Sequence, residues 1–164
     1  MQRRGLIFFL LFLLLTGSTT GLAAPLPRAE QETIAVRGRD LILQRRYDEA
    51  TRYFQQLIEQ HPDSILGYFG MLALSQVRNM ENFDYRFDPD FKPWEAAGKA
   101  KALALLRSEN STTWDYLMAG GVLGVIAFYQ FHQRHWFRGL NLANYTMISL
   151  QRAADRQPPE PAAE

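Results

Sequence analysis

Between positions 29 and 60 the apolar residues fall at Ile34, Leu41 and Ile42, and then at Tyr47, Ala50, Phe54, Leu57 and Ile58. Steps of three, four and seven put each set on one face of a helix, and the short segment Arg45, Arg46, Tyr47 separates the two. The pattern predicts a helical hairpin. Asp48 and Glu49 open its second helix, where carboxylates meet the positive end of the helix dipole. Pro62 falls just past its end, and Asp63 or Ser64 is placed to cap the helix that follows.

That next helix starts around Tyr68, continues through Met71, Leu72 and Ala73, and is expected to stop near Arg78. A long polar and aromatic turn, 79–92, is predicted there, with Pro93 at the first position of the following helix. Trp94, Ala97, Ala100, Ala104 and Leu105 carry that helix to about Ser108. A third pair opens at Ser111, Thr112 and Thr113, with Asp115 three residues after Thr112 in a capping-box arrangement, and its first helix is predicted to reach about Phe131. The second helix of this pair echoes the first hairpin: Trp136, Gly139, Ala143 and Thr146 repeat the spacing of Tyr47, Ala50, Phe54 and Leu57, and His135 stands where Arg46 stood. Sustained two-residue alternation with β-branched residues is absent, so no strand is predicted. The fold class expected is all-α, three stacked antiparallel helical hairpins in a domain spanning 29–156.

One unit has a more specific signature. Gly38, Leu41, Ala50, Phe54, Leu57 and Pro62, with Ile34 in the aromatic place, have the spacing of a tetratricopeptide unit counted from Gln31, a pattern about 34 residues long. The segment 31–64 resembles that family in full register, and the two later units resemble it loosely, the second keeping Tyr68 and the third Trp114 in the aromatic place. Arg37 stands where the family has leucine, and Leu57 is larger than the small residue usual there, which implies looser or wider helix packing. The resemblance implies an α-solenoid that binds a protein or peptide partner in a groove lined by the first helix of each unit, here within 34–44, 64–78 and 114–131. Repeat arrays end in a capping helix with a polar outer face. Either the helix from Trp136 onward caps the array with Asn141, Asn144, Gln151 and Arg152 outward, or the chain is the front part of a longer array whose bare apolar edge drives self-association.

The two ends of the chain read differently. Arg3 and Arg4, an apolar run at 6–15, and small residues up to Ala23 and Ala24 have the layout of a secretory signal peptide over 1–24. About ten apolar residues are too few to span a hydrocarbon core of roughly 30 Å at about 1.5 Å per residue. Cleavage after Ala23 or Ala24 is expected, making the protein exported, periplasmic or extracellular; an uncleaved leader would instead anchor it to a membrane. Loss of Arg3 and Arg4 takes the formal charge from +1 to about −1, with both signs interspersed, so no basic face for nucleic acid is expected. The chain has no cysteine, which excludes disulfides and a cysteine-linked lipid. Pro158, Pro159 and Pro161 make 157–164 a proline-rich tail, expected to be disordered.

Candidate chemistry is sparse. No cysteine nucleophile, nucleophile elbow or glycine-rich phosphate loop is present, so neither an enzyme nor a cofactor site is expected. His132 and His135 lie three apart, a spacing that puts two imidazoles on one helix face. They are the basis of an alternative reading as a metal-dependent enzyme, although zinc needs further ligands and His61 is remote in sequence. The stretch 116–133 carries no formal charge and holds Gly120, Gly121 and Gly124. It reads as a central helix covered on both sides, with Gly120 and Gly124 allowing close approach, or alternatively as a membrane-held helix. The aromatic segment 79–94 is the preferred place for a partner, with Tyr85, Arg86, Phe87 and Trp94 as the candidate contacts. The other reading is that these aromatics fold back as a local core. Asp84, Asp88 and Asp90 lack the spacing of a calcium loop.

Overall fold

The computed structural model describes residues 26–82 and 88–156. They form six helices: α1 (Arg28–Leu43), α2 (Tyr47–Gln60), α3 (Ile65–Asn82), α4 (Asp88–Arg107), α5 (Thr113–His132) and α6 (Trp136–Asp155). No strand occurs among the described residues, and the all-helical expectation holds. The first 25 residues, 83–87 and 157–164 lie outside the described residues, and with them the expected leader and tail.

Neighbouring helices pack in sequence order, and in addition α1 touches α3 and α3 touches α5. The first helices of the three pairs therefore form a row, with α2, α4 and α6 packed against it. At the join between the first two pairs Leu41, Ile42, Ala50, Phe54, Met71 and Leu74 form one cluster, and one ring in it reaches both first helices. Phe54 on α2, 4% exposed, projects between α1 and α3, where a Cβ on Gly38 would lie 2.5 Å from it and one on Gly70 2.1 Å. Two helices approach the same phenyl ring because both present a bare backbone to it. The family-place residues Gly38, Leu41, Ala50, Phe54 and Leu57 are all buried.

The main core surrounds α5, which meets α3, α4 and α6. Ala119, Val122, Leu123 and Ile126 are fully buried, and Phe91 of α4 stacks on Tyr129 with ring centroids 4.1 Å apart. A helix covered on several sides needs apolar residues around its circumference, which accounts for the uncharged stretch 116–133. Gly120 and Gly124 face Leu150 and Thr146 of α6, so the close contact expected of them is made within this chain. The Ser149 hydroxyl, fully buried, donates to the Tyr116 carbonyl at 2.7 Å. No described helix is long and apolar enough to cross a membrane.

The caps follow the chemistry read from the sequence. Thr112 accepts from the Asp115 amide, and the Asp115 carboxylate accepts from the Thr112 amide, a complete capping box. Ser64 accepts from the Leu66 amide. At the far end of α6, Arg152 donates to the Leu106 carbonyl and Arg156 to the Ser111 carbonyl. Arg152 thus satisfies a carbonyl in the last turn of α4, at the negative end of its dipole, and Arg156 one in the turn that follows.

The turns of the first and third pairs share one geometry. Arg45 and Arg134 have φ of 58° and 59°. The residues after them, Arg46 and His135, have φ/ψ of −84°/58° and −85°/61°. In the first turn the Arg45 and Arg46 amides donate to the Ile42 and Leu41 carbonyls; in the other the Arg134 and His135 amides donate to those of Phe131 and Gln130. Both are Schellman closures with a left-handed residue just past the helix end.

Two expectations are corrected. The turn between α3 and α4 is much shorter than 79–92, because α3 continues through the fully buried Asn79 to Asn82 and α4 already begins at Asp88. Pro93 accordingly sits inside α4 and not at its first position. Proline there gives up only the bond its amide would have made to Pro89, within the first turns, while burial of Phe91 rewards the extra helix. His132 and His135 also do not share a helix face: α5 ends at His132, and His135 lies in the turn, at the position just before α6.

Candidate binding groove

The row of first helices opens into a cleft of about 270 Å³ between α1 and α3. Its α1 wall is Ile34, Ala35, Ile42 and Leu43 with Arg39. Leu66, Phe69, Gly70, Ala73 and Val77 of α3 form the other wall, and Phe54 forms the floor. Arg39 is the single charged residue of the lining. Leu43, at the rim, is 73% exposed, a large apolar side chain left in water at the mouth of an apolar cleft. Met80 of α3, 38% exposed, lies one further turn along the same α3 face as Ala73 and Val77.

Beside the cleft Gln76 is buried, 6% exposed, and neither atom of its amide has a hydrogen-bond partner among the described residues. Trp114 Nε1 is likewise buried without a partner, although the ring takes the Arg28 guanidinium on its face at 4.0 Å.

A wider recess of about 900 Å³ lies between α1 and α2. Glu32, Arg37, Asp40, Arg46, Glu49 and Arg52 line it, and charges of both signs keep it hydrated. Arg46 donates to Glu49 through two nitrogens, and that hydrogen bond holds the Glu49 carboxyl below its ordinary pKa. Burial raises the Tyr53 phenol above its usual value, against a smaller opposing effect of Arg37, whose guanidinium lies 5.0 Å from the ring centre. The apolar cleft is the better candidate for a ligand, since apolar lining with few polar groups is what gains from excluding water.

Of the residues singled out from the sequence, Tyr85, Arg86 and Phe87 lie outside the described residues. Trp94 is partly buried, packs edge-on against Tyr68 at 6.3 Å between centroids and adjoins two apolar clusters. It does not line the cleft. Phe91, from the same segment, is core. The His135 Nδ1 lies 3.0 Å from Gln130 Oε1, whose Nε2 donates to Glu95 at 2.6 Å, so this imidazole ties the last turn to α4. His132 sits edge-on to Phe128, centroids 4.5 Å apart. Among the described residues no group of three or more histidine, aspartate or glutamate side chains is placed to hold a metal.

The cleft draws on the first two of the three stretches read as groove-lining, 34–44 and 64–78. Which residues would face it did not follow from the sequence, and the available signal was the pair of small residues Gly70 and Ala73 between Phe69 and Val77 on α3. Comparison with protein-family models, with curated proteins and with solved structures finds no match for this chain.

Proposed function

We propose that the chain is a non-catalytic, exported scaffold of the tetratricopeptide type that holds a segment of a partner protein along the row of first helices. The observation that carries this reading is the α1–α3 cleft, apolar throughout except for Arg39 and open at Leu43. Its place between two first helices is where the resemblance of 31–64 puts a partner, and the signal-peptide layout of 1–24 supports export. A peptide with two or three apolar side chains on one face would fill the cleft while its backbone stayed in water, the helix-in-groove mode of recognition.

Selection of a displayed random-peptide library on the purified protein tests this. Selected peptides should carry closely spaced apolar residues, and Leu43→Asp, at an exposed position that cannot disturb the core, should weaken them about tenfold or more. Peptides that bind wild type and Leu43→Asp alike, or a selection that returns none, would overturn the reading.

A further inference from the structure

The last helix, α6, rests on α5 through Leu142 and three small residues, Gly139, Ser149 and Ala153, all buried. Alongside runs a second stripe that α5 covers only in part: Leu150 packs over Gly120, Ala143 adjoins the main core and the Trp136 ring centre lies 6.0 Å from that of Phe131, but most of its large side chains stay exposed. Trp136, Leu140, Ala143, Met147, Leu150 and Ala154 follow one another at steps of four, three, four, three and four, the a/d spacing of a coiled-coil seam. Trp136 is 62% exposed, Leu140 65%, Met147 66% and Leu150 40%, and Phe137 beside them is 90% exposed. The polar residues expected on the outer face, Asn141, Asn144, Gln151 and Arg152, are indeed exposed, but they share the helix with this bare seam.

The fold shows what such a face accepts. The matching turns align α6 with α2, setting Trp136 against Tyr47, Ala143 against Phe54 and Met147 against Ile58. On α2 those residues are the ones α3 covers. Phe54 meets Gly70, Ile58 Cγ1 lies 2.5 Å from where a Gly67 Cβ would be, and the Tyr47 hydroxyl donates to Glu81. Low numbers on α2 meet high numbers on α3, so the covering helix is antiparallel. Residues 157–164 hold three prolines and no large apolar side chain.

The seam is complementary to itself. In an antiparallel pair whose two-fold axis passes between Ala143 and Met147, Trp136 faces Ala154, Leu140 faces Leu150 and Met147 faces Ala143, so every large side chain except the leucines meets a small one. A parallel pair would set Trp136 on Trp136 and leave Ala154 on Ala154. The outer flank, Phe137, Asn144 and Gln151, carries no charge, so nothing there repels a second copy. Aromatic side chains carry about 150–250 Å² each and aliphatic ones less. The exposed parts of this stripe thus come to on the order of 600 Å² per copy, most of the roughly 800 Å² that a stable interface buries on each partner.

We infer that two copies of the chain pair through α6, antiparallel, in an isologous dimer. The inference stands apart from the groove reading, since the cleft belongs to α1 and α3.

Sedimentation equilibrium of the full chain should show a monomer–dimer equilibrium, with Met147→Lys raising the dissociation constant about a hundredfold, because the symmetric interface contains the change twice. Asn141→Lys, on the polar side of the same helix, should leave it unchanged. The absence of native cysteine allows a second measurement: under oxidation Leu140→Cys combined with Leu150→Cys should give covalent dimers, while Leu140→Cys alone should not. A monomer at all concentrations, a dimer indifferent to Met147→Lys, or cross-linking by Leu140→Cys alone would overturn the inference.

Discussion

Gln76 pays for its position with two buried polar atoms that find no partner among the described residues. An unsatisfied buried donor or acceptor costs about 1–3 kcal/mol, whereas an apolar side chain of the same shape carries no such penalty. Methionine is close to glutamine in length and carries no polar amide, so Gln76→Met should stabilise the fold by about 1–2 kcal/mol. Urea unfolding would show this as a higher midpoint at unchanged slope; an unchanged or lower midpoint would mean that the amide has a partner in solution. The contrast with Ser149 is instructive. Its hydroxyl is as deeply buried but bonded to Tyr116, and a change to alanine there should destabilise.

At the scale of elements, the repeated turn is the clearest internal evidence of a common unit. Arg45 and Arg134 both occupy the left-handed region, which costs a residue with a Cβ about 1–2 kcal/mol relative to its right-handed form and which glycine occupies freely. Arg45 recovers part of this through Glu81 at 2.9 Å. Arg134→Gly should therefore raise stability by about 0.5–1 kcal/mol, readable as a higher thermal midpoint, and a fall would show that the Arg134 side chain contributes more than its backbone costs. Much of this level was legible in the sequence. The echo of Tyr47, Ala50 and Phe54 by Trp136, Gly139 and Ala143 located both hairpins, and the Thr112 and Asp115 pair located the start of α5. The extent of α3 and α4 was not legible, because Asn79 is polar and Pro93 breaks helices by propensity. Tertiary packing, with Phe91 fully buried, overrides those local preferences. The cleft was half legible: the stretches that line it followed from the repeat pattern, but which residues face it depends on the Phe54 clasp, which no spacing rule encodes.

Across the whole molecule the helices are held unequally. The buried residues of α1 are Gly38, Leu41 and Ile42, whereas α5 buries nine, among them Val122, Leu123 and Ile126. The α1 side also contains the cleft, so part of its apolar surface faces a void and lacks packing partners. Local opening free energies follow buried contact, and amide exchange under native conditions should divide the chain accordingly. The amides of α1 should exchange through local opening well below the global unfolding free energy, and those in the middle of α5 only through global unfolding. A ligand seated between α1 and α3 binds the closed form alone, so it should slow exchange in α1 by the linkage relation, about 2.7 kcal/mol at a free concentration a hundred times its dissociation constant. The already global amides of α5 should slow only as far as overall stability rises. Protection in α1 equal to that in α5 without ligand would show that the array closes as one unit and that the cleft is rigid. The weakly held first helix is then also the adjustable wall of the cleft, and under the proposed function the apolar residues it withholds from the core are the ones a partner would cover.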